Sequence, residues 1–351
     1  MMSKKEKMTF MGMLRSDIEI IKNDLNDKAK RNALRRRTNA FLISLFRALL
    51  LIGLCFIVLM PLFQKISFAM RHPSDISNPQ VIWVPQKLSW LNISIAYDIL
   101  DFWNSLFNTT LLSFGNMILQ IIATAIAGYA FARLRFKGSN ILFAIVLFTL
   151  VVPYETLHAS RKMFFLNTPF LGIYLNNTIF SLFIMSAFGM GIRSAIFIYI
   201  FRQFFRNLPI ELEESAQVDG AGVIRTFWSV MLPNARGAII TVGLFSFVWQ
   251  WNDYYFASLF RINRLVMPLT GKKFALLTTS LAGATERLDT VIRSKPYIAR
   301  LVGQSIYDDP LFLGLIANTA ALLIMLPLLI SYFFVQRLFV ESIERTGITG
   351  M

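Results

Sequence analysis

Apolar positions in this chain fall in long unbroken blocks separated by short polar connections. The blocks cover residues 41–63, 104–132, 140–153 running on toward Leu157, 178–201, 238–260 and 311–334. A helix of about 20 apolar residues crosses the hydrocarbon of a bilayer. The pattern therefore predicts six spans and an all-α polytopic membrane protein. The first block is too long for the core of a signal peptide, and no small-residue cleavage site follows it, so it is expected to be retained. Residues 64–103, with Pro73, Pro79 and Pro85, read as a mixed polar loop, and 261–310 as a long loop containing short helical pieces.

Composition agrees with that class: 55% of the 351 residues are hydrophobic and 16% are charged. The net charge of +15 is explained by position rather than by a nucleic-acid partner. Residues 1–40 hold 11 Lys and Arg against 5 Asp and Glu, and Arg35, Arg36 and Arg37 stand next to the first block. Further basic residues follow the second, fourth and sixth blocks, at Arg133, Arg135, Lys137, Arg202, Arg206 and Arg337. Basic residues favour the cytoplasmic ends of spans, so both termini are expected in the cytoplasm. The loop 261–310, placed outside, opposes this with eight basic residues against four acidic ones. At that length the charge rule weakens. Residues 1–40 read as a cytosolic segment with one amphipathic helix capped at Ser16, either meeting lipid headgroups or a partner or serving as a partly disordered tether, and residues 41–351 as the membrane domain.

The most polar insertion on the cytoplasmic side runs over 209–233. Pro209 suits a first helical turn, and Glu211, Glu213 and Glu214 follow where the helix dipole favours acids. Gly220 and Gly222 interrupt the helix, Val223 to Met231 resume it, and Pro233 closes it before the fifth block. The expected unit is a helix-turn-helix outside the membrane.

Catalytic constellations are missing from the sequence. Gly271-Lys272 lacks the glycine that a P-loop needs five residues earlier, since Val266 stands there, and His72 and His158 lack metal-ligand spacing. The lone cysteine, Cys55, reads as a small buried apolar group. Candidate chemistry lies inside the apolar blocks instead. Asn104, Asn108, Asn116, Gln120 and Thr124 repeat along the second block, either as hydrogen-bonding glue between helices or as a polar wall for a hydroxyl-rich solute. Arg193 lies within the fourth block after Gly189 and Gly191, where a charge costs about 2.5–3.5 kcal/mol and needs a cavity or a partner. Trp249, Gln250, Trp251, Asn252, Asp253 and Tyr254 combine flat aromatic faces with amides and a carboxylate, which fits a sugar site as well as an interfacial aromatic belt.

Glu214, Ser215, Ala216, Asp219, Gly220, Leu232 and Pro233 resemble the EAA loop of ATP-binding-cassette importer permeases, with Ser215 and Val230 as departures. Tyr129 to Gly138, Phe201 to Phe205, Trp251-Asn252-Asp253 and the C-terminal run from Gln336 to Gly350 are similar to carbohydrate permeases of the maltose-transporter type, the smaller permease in particular. The resemblance covers roughly 40–351; the segment from His158 to Pro169 departs from it. It implies the type I importer permease fold with 209–233 as cytoplasmic coupling loop. It also implies a second homologous permease, two ATPase subunits that carry the ATP–Mg, an extracellular sugar-binding protein, and a bacterial cytoplasmic membrane. No cofactor is expected on this chain. The substrate-pathway candidates are Asn108, Asn116, Gln120, Arg193, Trp249, Trp251, Asn252, Asp253 and Tyr254. Two alternatives stand beside this reading: an ion-gradient-driven secondary transporter, which would want an acid deeper in a span than Glu155 or Asp253, and an importer permease for a non-sugar solute such as a phosphorylated polyol or a peptide.

Overall fold

A computed structural model describes residues 28–76, 78, 81, 83–166, 175, 177–262, 265, 266, 271, 273–295, 300 and 309–348. The helix expected from Ser16 and the last residues of the tail lie outside these. The described residues are helical apart from turns, short 3-10 segments and two isolated bridges, Arg71 with Leu88 and Val266 with Lys273. The chain is an all-α polytopic membrane protein. It divides into two units, 1–64 and 65–351.

The described part of the first unit is one helix, the beginning of α1 (Lys28–Met70). Its stretch Arg35–Met70 is long and apolar enough to cross a membrane. Phe41, Phe46, Ile52 and Phe56 stand exposed along it. Cys55 is exposed too, contrary to the burial expected from sequence. A single helix has no neighbour within its own unit to cover it.

The second unit is organised around α3 (Phe102–Arg133), which follows the short helix α2 (Leu91–Leu100). At 1.5 Å per residue its 32 residues are about 48 Å long, more than the hydrocarbon thickness. Asp101, left-handed at φ 44°, turns the chain between α2 and α3. The sixth expected span is α14 (Pro310–Ile348), which carries Pro327 inside and continues well past the apolar block.

The three intermediate blocks are interrupted rather than continuous. The third is α4 (Ser139–Phe148), then a 3-10 turn at Tyr154–Leu157 and α5 (His158–Leu166). The fourth breaks into α6 (Phe180–Ala187) and α7 (Ser194–Asn207). The fifth is α10 (Arg236–Trp251), followed after Asn252–Tyr254 by α11 (Tyr255–Leu259). Periodicity does not see the break in the fourth block, because most residues on either side of it stay apolar. The long loop holds α12 (Leu277–Ala282) and α13 (Ala284–Ser294), the short helical pieces expected there. Leu288 and Ile292 of α13 pack with Ile95 and Ile99 of α2 and with Phe312 and Ile316 of α14.

α3 and α7 approach closely at Gly128. A Cβ there would lie 2.5 Å from Cβ of Phe201 and 2.9 Å from the backbone nitrogen of Arg202. Side by side at this point, the two helices join Tyr129, Phe197, Phe201, Phe205, Phe227, Met231 and Val242 into one buried cluster.

Candidate functional site

The polar insertion forms two helices, α8 (Glu211–Val218) and α9 (Val223–Asn234). Three acids occupy the first turn of α8. The helix ends on a Schellman motif: Gly220 N–H donates to the Gln217 carbonyl at 2.9 Å and Ala221 N–H to the Ala216 carbonyl at 2.9 Å. Gly220 takes φ 78°, which only glycine adopts without strain. α9 contains a π-helical turn over Phe227–Met231 and meets α10 at 79° around Ala235, immediately after Pro233. The expected helix-turn-helix is present, closed where the proline predicted.

Exposure divides α8 into two faces. Glu213 and Ala216, one turn apart, are buried, whereas Glu214, Ser215, Val218, Asp219 and Gly220 are exposed. Val218 at 87% and Ile224 at 76% are among the most exposed apolar side chains of the unit, with Val223, also exposed, next to Ile224. An apolar tip rimmed by carboxylates is the composition of a docking surface. Leu232 is partly buried against the aromatic cluster, and Pro233 is exposed.

The buried face of α8 rests on the end of α3. Arg133 Nε lies 3.6 Å from Glu213 Oε2, with both side chains about nine-tenths buried. Arg133 also donates through Nη2 to the carbonyl of Leu208, just ahead of α8. Tyr129, one turn earlier on α3, packs its ring on Phe205 at 5.7 Å and on Phe227 at 5.2 Å. Reasoning from sequence missed Glu213, Arg133 and Tyr129 as a group. The i, i+3 spacing that puts Glu213 and Ala216 on one helical face was the available signal.

A second polar assembly lies midway along α3. Gln120 donates to the Ile192 carbonyl at 2.7 Å and to Ser194 Oγ at 2.9 Å, and its Oε1 accepts from Ser246 Oγ at 2.6 Å. One amide thus joins α3, the break between α6 and α7, and α10. Asn116 accepts from Ser186 Oγ at 2.6 Å and donates to the Leu112 carbonyl at 3.0 Å. Asn108 donates to the Ala275 carbonyl at 3.0 Å, and Thr124 to the Gln120 carbonyl at 2.6 Å. Asn108, Asn116, Gln120 and Thr124 are fully or almost fully buried. Between the two readings of this stripe, the geometry is that of interhelical glue.

Arg193 sits at the break, left-handed at φ 54°, exposed, with its guanidinium 4.9 Å above the ring of Trp249. Trp249 is itself stacked between Phe197 at 5.2 Å and Phe245 at 5.4 Å. Trp251 is 3% exposed, lies in the cluster of Ala96, Leu277 and Ile324, and donates to the Ile324 carbonyl at 3.3 Å. Asp253 accepts the backbone N–H groups of Phe256 and Ala257, both at 3.1 Å, and so caps α11. Asn252 and Tyr254 line a cleft of about 370 Å³ with Thr278, Leu281, Ala282, Ala321, Ile324 and Met325. The aromatic motif is therefore divided among a stacked platform, a core anchor, a helix cap and a cleft wall.

Broken membrane helices knitted by buried amides, with an external helix-turn-helix seated on the end of the central helix, define a permease-type membrane subunit. Residues 120–345 match the family model described as "Binding-protein-dependent transport system inner membrane component", and the chain belongs to this family. Its members are transport-system components rather than enzymes. The sn-glycerol-3-phosphate transport system permease protein UgpE of Yersinia enterocolitica is 28% identical over 212 residues, 59% of this chain and 72% of that protein. The melibiose/raffinose/stachyose import permease protein MelC of Bacillus subtilis is 24% identical over 291 residues, 83% of this chain and 91% of that protein. A crystal structure of a bacterial ABC transporter involved in the import of the acidic polysaccharide alginate shares the fold, with a TM-score of 0.61 at 21% identity, covering 86% of this chain and 98% of that one.

Proposed function

We propose that the chain is a permease subunit of an ATP-driven importer of carbohydrates in a bacterial cytoplasmic membrane. It pairs with a second, homologous permease to enclose the translocation path. Two ATPase subunits, which hold the ATP–Mg, dock on α8 of this chain and on its counterpart, and an extracellular sugar-binding protein delivers the solute. Both termini and α8 lie in the cytoplasm. The observation that carries this reading is the exposed tip of the helix-turn-helix: Val218 and Ile224 bare, Glu214 and Asp219 around them, on a helix too short to be stable without its neighbours. An apolar tip held outside the membrane fits a cleft in a soluble partner.

The solute path is proposed to involve Asn252 and Tyr254 at the cleft and Arg193 over Trp249, while the buried Asn108, Asn116, Gln120, Trp251 and Asp253 shape it from behind. Relatives named for melibiose, raffinose and stachyose, and for glycerol-3-phosphate, support a hydroxyl-rich solute. The exposed guanidinium of Arg193 favours one second reading, a solute that also carries a phosphate or carboxylate.

The test is purification of the tagged chain from its native membrane. Co-purification of two ATPases and a second permease is the expected result, with ATP turnover stimulated by a saccharide-loaded binding protein. Ile224→Asp places a charge on the apolar tip and should release the ATPases while leaving the permease inserted. ATPase capture unchanged by Ile224→Asp would reject the docking assignment. Stimulation only by a phosphorylated or uronic solute would select the second reading.

A further inference from the structure

α8 has only eight residues, so its orientation is set by what it rests on rather than by its own helical stability. Two inward side chains make that contact, Glu213 and Ala216. Ala216 supplies only close packing. Glu213 supplies a charge, nine-tenths buried, facing the equally buried guanidinium at the last residue of α3. A carboxylate in that position leaves water at a cost, which the Arg133 charge and the hydrogen bond with the Tyr129 hydroxyl offset. The adjacent Glu214 is exposed and available to a docking subunit. Two neighbouring acids on one short helix thus face opposite ways.

The ion pair is also unusual in its looseness. At 3.6 Å it is longer than a hydrogen bond, and neither Arg133 Nε nor Glu213 Oε1 has a hydrogen-bond partner among the described residues. A bidentate fork would fix both distance and angle. A single longer approach holds two elements together by charge while letting them rotate. The same guanidinium donates to Leu208 at the entry of the helix-turn-helix, and Tyr129, one turn back, packs on Phe227 beyond it. Entry, helix and exit all bear on the final turn of α3.

From this geometry we infer that Glu213 is a positioning residue for energy coupling: through Arg133 it ties the docking helix to α3, so that movement of α8 is delivered to the central membrane helix. This inference rests on the proposed importer function. Glu214 and the apolar tip serve docking, and Glu213 serves transmission, so the two acids have separable roles.

The experiment uses the intact complex purified through a tag on this chain, in lipid nanodiscs. A reporter cysteine at Ala282, exposed in the cleft, is placed in a Cys55→Ser background and titrated with a polar maleimide. Addition of ATP and vanadate is expected to change its labelling rate by roughly five-fold or more, the scale of ordinary coupling between sites. In Glu213→Gln, which keeps the size and loses the charge, ATPases should still co-purify and hydrolyse ATP, while the labelling change collapses toward unity. Arg133→Glu alone should do the same, and the exchange Glu213→Arg with Arg133→Glu should recover most of the change. Normal nucleotide-dependent labelling in Glu213→Gln overturns the inference, as does an exchange no better than the single variants. Loss of ATPases from Glu213→Gln would overturn it as well, by making Glu213 a docking contact. Failure of the unaltered chain to capture any ATPase would instead sink the importer reading beneath it.

Discussion

Gly220 separates backbone requirement from partner contact, because a side chain there would meet none of the described residues within 4 Å. The residue stands at φ 78° as the left-handed step of the Schellman motif that ends α8. Any other L-residue held there pays roughly 1–2 kcal/mol, less for asparagine, whose short amide tolerates this region. Such a cost shifts a local equilibrium by a factor of about 5–30. Gly220→Ala should therefore fray the end of α8 and reduce saccharide-stimulated ATP turnover of the reconstituted complex severalfold. Gly220→Val should do more, since a β-branched residue at this φ is a true outlier. Gly220→Asn should retain most of the activity. A clear ranking with asparagine near glycine would assign the glycine to the turn. If asparagine were as damaging as valine, the strain argument would fail and the missing side chain would be a clearance for the docked partner. Equal, full activity of all three would mean that the left-handed turn carries no functional demand.

Other outcomes follow from the packing. Gln120→Leu strands the Ser246 hydroxyl and the Ile192 carbonyl in a buried setting, while Ser194 keeps its bond to the Gly191 carbonyl; at about 1–3 kcal/mol for each group left unpaired, the melting temperature in detergent should fall clearly. Gly128→Val drives a side chain into Phe201 and the backbone of Arg202, and should abolish folded protein on size-exclusion chromatography, whereas Gly53→Val, open on all sides within the chain, should be tolerated. Arg193→Gln removes a cation stacked on Trp249 at an exposed position, so stability should change little while uptake of an anionic solute falls more than that of a neutral one. Equal loss for both solutes would make Arg193 a contact with another subunit.

The polar loop was the most legible part of the sequence because its signals are local. Acids in a first turn, a glycine at a helix end and a proline before an apolar run each act within a few residues, and α8, Gly220 and Pro233 fall where those signals put them. The outer apolar blocks were legible by length, giving α1, α3 and α14. The breaks inside the fourth and fifth blocks were not, since they are stabilised by partners distant in sequence: Gln120 caps the break before Ser194, and Thr278 donates to the Asp253 carbonyl at 2.8 Å. The role of each residue in Trp249 to Tyr254 was hidden for the same reason. Adjacent residues on a helix end point in different directions, and only the positions of α7, α11 and α14 decide which side chain stacks, caps or faces the cleft.

The two polar assemblies of the site lie on one helix, and this arrangement offers a route by which the proposed docking at α8 would reach the proposed path. Arg133 terminates α3, and Gln120 lies thirteen residues earlier by number, about 20 Å away at 1.5 Å per residue. The intervening helix is stiff and continuous, without proline, and close packing at Gly128 keeps α7 against it. At the other end, Gln120 binds backbone at the break between α6 and α7, and a serine of α10. A broken helix changes direction at its break more readily than a continuous one, because few backbone hydrogen bonds oppose the change. In the proposed importer, movement of α8 against Arg133 would displace the amide that caps the break, and with it the setting of Arg193 and the tilt of α10. Two connections on a single stiff helix need no chain of intermediate residues to relay the change. Shortening α3 by deleting one residue between Gln120 and Gly128 would rotate the hub by about 100° relative to Arg133, and should yield an assembled complex that hydrolyses ATP without transport; retained transport would show that the two assemblies act independently.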